Sequence, residues 1–543
     1  MKKIILIFIF LINCTAYNAF AQTPNWIWAK AGSGTGGDEG SNIASDAAGN
    51  VYITGYFNSS TLTLGTYTLS SAGSYDVFLA KYNPNGTVLW ATNAGGINDD
   101  EGSSVAIDDL GNVYLSGFFS SSQIIFGTDT LLNTGAQNVF LTKYNSSGTV
   151  LWAKSIIGTG GADANSIATD PSGNVFVTGF YDSTIIIGSY TLTCASTFGF
   201  NVFLAKYDPF GTALWAKSST GTKNEEGTIV TTDGNGNAYI SGMFVSPSTN
   251  FGTCTLTNPY PGTSKFFIAK YDPLGVVLWA KSAGGTNSEW GYGLTTDAAG
   301  NIYATGSFKS SSLILGTYTL TNKGNTDIFF VKYNSVGTVV WAQNIAGTGS
   351  DEGASLTTDP FNNIYMSGRF TSPSIAIGID TLHFPLGGFD PMFIAEFDTM
   401  GTLHCSSALT SGGDDQNGIA IDGYGNAYIS GDFAGGSFII GNDTLPLKGS
   451  ENIFIAKFNC NGTTSINGYT NKEEINVWPN PANNNITIQS SEELGMITIC
   501  NSLGEMVLQI KSKNTQEEID INKLSAGIYI LQMQGRYKKF IKE

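Results

Sequence analysis

Two histidines stand in 543 residues, His383 and His404, so a catalytic triad or a histidine-rich metal centre has almost nothing to be built from. Charge is sparse too, at 13% of residues. No stretch sustains a 3.6-residue apolar period, which argues against helices. Beyond the first 21 residues no apolar run approaches the ~18 residues of a membrane span, so no transmembrane segment is expected. The six cysteines are few and irregularly spaced. They indicate neither a zinc pattern nor a disulfide framework, and Cys194, Cys254, Cys405, Cys460 and Cys500 read as buried free thiols. No glycine-rich phosphate loop leads from a strand into a helix.

What is plentiful points the other way. Glycine (67 residues), aromatic residues (12%) and β-branched residues favour an all-β chain. The N-terminus carries Lys2 and Lys3, an apolar core over 4–12 and an Ala19-Phe20-Ala21 site, which together read as a secretory signal over 1–21, cut between Ala21 and Gln22. Acylation at Cys14 is the alternative, and Asn13 is a poor residue to precede a lipidated cysteine. Net charge is −17, and residues 22–470 account for all of it, with 34 acidic against 16 basic side chains. Such a body repels nucleic acid and anionic lipid.

The chain repeats itself. The asparagine of a D-x-x-G-N step recurs at Asn50, Asn112, Asn174, Asn237, Asn301, Asn363 and Asn426, at spacings of 62 to 64 residues. Each unit offers four strand signals separated by tight turns rich in glycine and asparagine, as in Val51–Thr54, Val77–Tyr82 and Thr87–Ala91 of the first. An insert between second and third strands, 61–69 in the first unit, predicts an extra hairpin. A tryptophan marks the fourth strand at Trp28, Trp90, Trp152, Trp215, Trp279 and Trp341, with Cys405 at the same place in the sixth unit. The seventh unit lacks a fourth strand, whereas Trp26-Ile27-Trp28-Ala29-Lys30 is a fourth strand without the first three. Four antiparallel strands repeated radially predict a seven-bladed β-propeller over 22–462, closed by that N-terminal strand. The tryptophans are expected to pack between blades.

The D-x-x-G-N-x-Y-x-x-G core, as in Asp46–Gly55 and Asp297–Gly306, resembles the SBBP-type β-propeller repeat of secreted bacterial proteins. That resemblance implies the fold and export, and no particular reaction. The G-T-V-L-W stretches resemble repeats of quinone-dependent propeller dehydrogenases, from which the longer period and the missing catalytic pattern set this chain apart.

A polar linker over 463–474 precedes a different pattern over 475–543: short alternating strands at 486–488, 496–500, 506–510, 519–521, 528–533 and 537–541, the mark of a small Ig-like β-sandwich. Trp478-Pro479-Asn480-Pro481, the Leu503-Gly504 turn, Leu524-Ser525-Ala526-Gly527-Ile528-Tyr529 and Lys538-Lys539-Phe540-Ile541-Lys542 are similar to the type A C-terminal sorting domain of the type IX secretion system. The resemblance implies recognition by the type IX machinery, export to the surface, removal of the domain and, often, attachment to surface lipopolysaccharide. A retained sandwich module is the plain alternative.

One constellation remains. Acids precede each first strand in a glycine-rich loop: Asp38-Glu39, Asp100-Glu101, Asp163, Glu225-Glu226, Glu289, Asp351-Glu352 and Asp414-Asp415. In an up-and-down blade these loops share a face with the inserts and lie near the axis. They either hold loop backbone or bind a cation or glycan, with Glu39, Glu101, Asp163, Glu226, Glu352 and Asp415 as the candidates. Oxygen-only ligands would select calcium. Carboxylates about 10 Å apart in water repel by only about 0.4 kcal/mol, so a wide ring predicts weak calcium binding and no obligate cofactor. Trp290 beside Glu289, and Arg369, break the repetition, and no catalytic residue stands out. The expected function is therefore a monomeric, non-enzymatic surface binding or adhesion scaffold for an unidentified glycan or protein. A carbohydrate-active propeller using paired carboxylates is the second reading, and a structural envelope protein the third.

Overall fold

The computed structural model describes residues 22–543 except Thr197, 385–390, 410–417, 461–475, 491–492, 502–505, Ala526, 534–535 and Glu543. The 1–21 signal with Ala21, Asp414-Asp415, the 463–474 linker and Gly504 thus lie outside the described residues. The chain forms two compact units, Met1–Gly462 and Thr463–Glu543, and no helix occurs among the described residues.

The first repeat shows how the sequence builds a sheet. After β1 (Asn25–Ser33) come β2 (Asp38–Ser45), β3 (Val51–Phe57), the short β4 (Thr61–Leu64) and β5 (Tyr67–Ser70), then β6 (Asp76–Tyr82) and β7 (Val88–Ala94). β2, β3, β6 and β7 pair antiparallel in that order. The D-x-x-G-N turn joining β2 to β3 is organised by its aspartate. Asp46 Oδ1 accepts from the amides of Ala48 (3.0 Å) and Asn50 (2.8 Å), while Oδ2 takes the Asn50 side chain (2.7 Å) and the Tyr52 hydroxyl (3.3 Å). Gly49 sits at φ 80°, a left-handed conformation that costs glycine least. In the sixth repeat Asn362 fills this place at φ 66°, the best substitute when glycine is absent. The expected insert hairpin is present: β4 pairs with β5, and Leu62 and Leu64 are fully buried beneath it.

The same strand order recurs in sheets whose inner strands are Asp100–Ile107, Ala162–Thr169, Glu225–Thr232, Glu289–Thr296, Asp351–Thr358 and Gly418–Ile421. Each inner strand packs on the next, and Gly418–Ile421 packs back on β2, so the succession closes as a β-propeller. The core lies between sheets. One cluster, for example, unites Tyr52, Val77 and Leu79 of the first sheet with Leu115, Phe119 and Phe140 of the second.

β1 closes the ring. It runs antiparallel to Glu451–Asn459, from Asn25 opposite Asn459 to Gly32 opposite Ile453. Trp28 is buried, and the Trp26 ring lies 5.0 Å from Phe458. Gly32 also pairs with Leu64 of β4, so the insert hairpin of the first sheet spans the seam beside it.

Neighbouring sheets are joined by a repeated polar contact. In the first sheet, Lys81 Nζ and Trp90 Nε1 both donate to the Ser146 carbonyl, in the tight turn between third and fourth strands of the second sheet, at 3.1 and 3.2 Å. Lys143 and Trp152 do the same to Pro209, Lys206 and Trp215 to Pro273, Lys270 and Trp279 to Ser335, and Lys332 and Trp341 to Thr399. Across the closing seam, Lys457 and the Trp28 of β1 share the Pro84 carbonyl. A buried ammonium is costly unless compensated. Here it also lies over an aromatic ring, 4.9 Å from the Tyr52 centroid for Lys81.

Two expectations are corrected. The acids were placed in loops ahead of the first strands. Those among the described residues instead lie within the first two residues of those strands, with Asp38 opposite Phe57 and Glu39 opposite Tyr56. The inner strand therefore begins five residues before the apolar position at Ile43 that marks it in the sequence. The cysteines were expected as free thiols. Cys405 and Cys460 form a disulfide, while Cys194 and Cys254 are free. Cys405 and Cys460 are 55 residues apart, and the packing of the sixth sheet on the last brings them together.

In the second unit a three-stranded sheet (Asn476–Trp478, Asn485–Gln489, Gln516–Asp520) and a four-stranded sheet (Met506–Ser512, Gly495–Asn501, Gly527–Met533, Arg536–Lys542) share one apolar cluster containing Ile486, Ile497, Ile519, Leu531 and Phe540. Pro481 precedes the buried Ala482, whose amide donates to the Ile541 carbonyl at 2.8 Å, and Asn480 Oδ1 accepts from the Ile541 amide at 2.9 Å. The Trp-Pro-Asn-Pro motif is thereby bound to the last strand. Tyr529 stacks on Phe540 at 5.6 Å and donates to the Ser525 carbonyl. Pro479 and Gly527 are exposed and Lys538 is half-buried, each on or beside these strands; Lys539 pairs opposite Ile530 in the last hairpin.

Truncating a buried tryptophan costs about 3–5 kcal/mol. Trp28→Ala should lower the stability of the ring by about that amount, and deleting 22–31 should lower it further and promote aggregation through the opened edge. Chemical denaturation checks this, and an unchanged transition for the deletion contradicts closure by β1.

Candidate functional site

Side chains alternate along a strand, so where two acids open an inner strand, as Asp38-Glu39, Asp100-Glu101, Glu225-Glu226 and Asp351-Glu352 do, they go to opposite faces. The structure sorts them into two sets.

The first set is structural. Asp38, Asp100, Glu225, Glu289 and Asp351 are fully buried. Each holds the loop that leads from its second strand into the insert hairpin. Asp100 Oδ2 accepts from Ser121 Oγ and the Gly96 amide, both at 2.7 Å, and Asp351 Oδ2 from Ser372 Oγ at 2.7 Å. Glu225 Oε2 takes the hydroxyls of Ser219 and Thr249, at 2.5 and 3.0 Å. Glu289 pairs with the buried Lys265 at 3.0 Å. Burial raises the pKa of each, that of Asp351 to about 6.

The second set faces inward. Glu101, Asp163, Glu226 and Glu352, with Tyr56, Asn165, Trp290, Tyr292 and Arg369, line a cavity of about 440 Å³ where the inner strands meet. Glu39 reaches it through the Tyr56 hydroxyl, which donates to Glu39 Oε2. Asn165 Nδ2 donates to Glu226 at 3.0 Å. Glu352 and Arg369, cross-strand partners, form an ion pair at 2.9 Å. In the fifth sheet a tryptophan replaces the acid: Trp290 is 43% exposed, donates Nε1–H to Ser264 Oγ, and lies 6.1 Å from the Tyr292 ring.

The carboxylates of this set are not independent. Burial lifts Glu101 to about 7, and the charges of Asp163, Glu39, Asp99 and Asp100 add to it. Burial and then Glu226 lift Asp163 to about 7, and its Oδ1 is buried without a hydrogen-bond partner. Glu226 is raised by burial against the stabilising Asn165. Among the described residues, no three of these acids bring ligand atoms within 4.8 Å of one another; the only such group is Glu396 with Cys405 and Cys460. The acids thus surround the cavity without converging on a cation-sized point.

Of the residues singled out from sequence, Glu39, Glu101, Asp163, Glu226 and Glu352 come together, as do Trp290 and Arg369; Asp415 lies outside the described residues. Tyr56, Asn165 and Tyr292 were missed. The signal was available, since Asn165 and Tyr292 stand two residues after the axial Asp163 and Trp290 and share their face by alternation. His383 lies in the sixth insert hairpin, and His404 lies 3.7 Å from Glu396 on the ring's flank.

Residues 476–543 match the secretion system C-terminal sorting domain. Over 337 residues the chain is 26% identical to an uncharacterized WD repeat-containing protein of Acanthamoeba polyphaga mimivirus, covering 50% of this chain and 24% of that protein. Over 218 residues it is 27% identical to the regulatory protein FlaEY of Caulobacter vibrioides, covering 37% and 22%. The chain thus spans about a quarter of the length of these curated relatives. Among solved structures, the Pan2 WD40 domain of Neurospora crassa aligns at 10% identity and a TM-score of 0.39, covering 80% of this chain and 96% of that one. PorZ, a surface component of the type IX secretion system of Porphyromonas gingivalis, aligns at 12% identity and a TM-score of 0.30, covering 92% and 70%. The C-terminal match marks the chain for the type IX secretion machinery, and the protein is secreted or displayed at the outer-membrane surface.

Proposed function

We propose that this protein is an exported, non-catalytic binding scaffold, a seven-bladed propeller of SBBP-type repeats that takes a glycan or protein ligand at the axial cavity and its rim. The asymmetry of the cavity carries this reading. Carboxylates surround most of it, whereas Trp290, Tyr292 and the Glu352–Arg369 pair form one distinct quadrant. Carboxylates accept hydrogen bonds from sugar hydroxyls or pair with cationic groups, and an exposed indole offers a stacking face. The 1–21 signal starts export. Residues 475–543 act as an Ig-like sandwich that is cleaved off in the 463–474 linker, leaving a monomeric ring at the surface.

A second reading has one observation in its favour. Glu101 and Asp163 are neighbouring carboxyls held near neutral pKa, the condition of a general acid, and a glycoside-cleaving propeller would use such a pair. Incubating the full chain with the glycans it binds, and looking for cleavage, decides between the two.

Screening the full chain against glycans and surface proteins identifies the ligand class. For a ligand so found, Trp290→Ala should weaken binding at least tenfold without moving the melting temperature. The combined Glu101→Gln, Asp163→Asn and Glu226→Gln variant should weaken it as well. Unchanged affinity in both removes the cavity from the functional account.

The same acids predict a pH dependence. A carboxyl whose pKa is raised on folding binds more protons in the folded than in the unfolded state between about pH 4 and 7, so ionisation destabilises the fold as pH rises. The melting temperature should therefore fall between pH 5.5 and 8. The Glu101→Gln, Asp163→Asn double variant should show a smaller fall, and an equal fall contradicts the coupling of these two groups.

A further inference from the structure

At the seams between successive sheets, three positions do the same work. A lysine near the end of the third strand and a tryptophan in the fourth donate to one carbonyl, that of the residue at the second position of the next sheet's third-to-fourth turn. The pattern holds from Lys81 and Trp90 on Ser146 through Lys332 and Trp341 on Thr399, and across the closing seam from Lys457 and Trp28 to Pro84.

At the seam between the sixth and last sheets, all three positions differ. Strand register puts Glu396 where the others have lysine and Cys405 where they have tryptophan: Glu396 pairs opposite Cys405, just as Lys332 pairs opposite Trp341 and Lys81 opposite Trp90. Cys460 follows Phe458 and Asn459 as Pro84 follows Tyr82 and Asn83, so it occupies the position whose carbonyl accepts the donors elsewhere. A buried carboxylate cannot donate there. Burial and the charge of Asp359 push Glu396 up, while the Tyr365 hydroxyl and His404 restrain it. The non-covalent latch is therefore gone from this seam, and the two positions that would have formed its indole–carbonyl contact are joined by the Cys405–Cys460 disulfide.

The seam is also where the ends of the ring converge. The Gln22 amide donates to the His404 carbonyl at 2.9 Å, and the Ser406 amide to the Gln22 carbonyl at 3.1 Å, so residue 22 brackets Cys405. The bond itself is enclosed: Cys405 is fully buried, and both sulfurs sit in a cluster with Ala29, Tyr365 and Phe458.

We infer that the Cys405–Cys460 disulfide is a covalent replacement for the inter-sheet latch, making closure of the ring at this one seam dependent on redox state. The bond forms when two thiols pass two electrons and two protons to a disulfide oxidant by thiol–disulfide exchange. That condition is met after export and not in a reducing cytoplasm. The reverse step, with a dithiol reductant supplying the two electrons and two protons, leaves a seam with neither latch nor cross-link. The ring would then open between 403–409 and 451–460, releasing the residues around Gln22 with them.

The test uses the full chain. Alkylation of the unfolded, unreduced protein should modify the other cysteines, Cys194, Cys254 and Cys500 among them, and leave Cys405 and Cys460 as one linked peptide pair; alkylation of Cys405 and Cys460 without reduction overturns the proposal. Dithiothreitol should lower the melting temperature of the ring by roughly 5 °C. Limited proteolysis should then begin within 403–460 or near residue 22. The Cys405→Ser, Cys460→Ser variant should match the reduced protein and ignore dithiothreitol. The Glu396→Lys, Cys405→Trp, Cys460→Pro variant rebuilds the latch used elsewhere, and should melt above the serine variant with no response to dithiothreitol. A reduced wild-type chain that melts and is cleaved like the oxidised one contradicts the inference, whether or not the rebuilt variant folds.

Discussion

One carbonyl oxygen that takes a lysine and an indole donor at once, at every seam but the one between the sixth and last sheets, is the constraint on which this ring depends. Hydrogen bonds within a sheet cannot hold one sheet to the next, and apolar packing between sheets has no direction of its own. The shared carbonyl supplies direction. It fixes the height of each blade against its neighbour, because the tight turn that offers it can sit at only one level. The lysine is desolvated, and it tolerates this because a ring lies beneath it and an aspartate beside it, as where Lys206 Nζ lies 3.1 Å from Asp170 and 4.8 Å from the Phe176 centroid. That aspartate is the one that organises the D-x-x-G-N turn, so the turn, the buried cation and the neighbouring sheet form one connected polar network. Such networks are stabilising only when every member is satisfied.

The ring in turn positions the axial cavity. Four inner strands begin with two acids, and the pair has two jobs at that end: one side chain anchors the loop to the insert hairpin, and the next faces the axis. Asp100 and Glu101 show the division, the first satisfied by Ser121 and Gly96, the second without such support and raised to about 7. Departures from repetition are then informative. Trp290 in place of an axial acid, and Arg369 opposite Glu352, break the symmetry on one side of the cavity.

Much of this was legible in the sequence. Spacings of 62 to 64 residues revealed the repeat, and the orphan strand at Trp26–Lys30 revealed how the ring closes, because a strand missing at one end and surplus at the other has one economical pairing. The tail motifs were legible because they are local in the chain. What escaped was what depends on three-dimensional neighbours. The Cys405–Cys460 bond joins residues that look like irregular thiols until the sixth and last sheets meet. The Lys–Trp latch was invisible because its acceptor is a backbone carbonyl at least 56 residues away, with no side chain to mark it. The start of the inner strands was misplaced because Asp38 to Ser41 carry no apolar signal.

The central claim is that two donors on one carbonyl hold neighbouring sheets together, and a double-mutant cycle at Lys270 and Trp279 tests it most directly. Lys270→Met, Trp279→Phe and the pair would be compared by chemical denaturation of the propeller transition. With either donor present the Ser335 carbonyl keeps a protein partner, and only loss of both removes the last donor joining the two sheets there. The account therefore predicts that the double variant loses about 1 kcal/mol or more beyond the sum of the single losses. Losses that add within about 0.5 kcal/mol would contradict it.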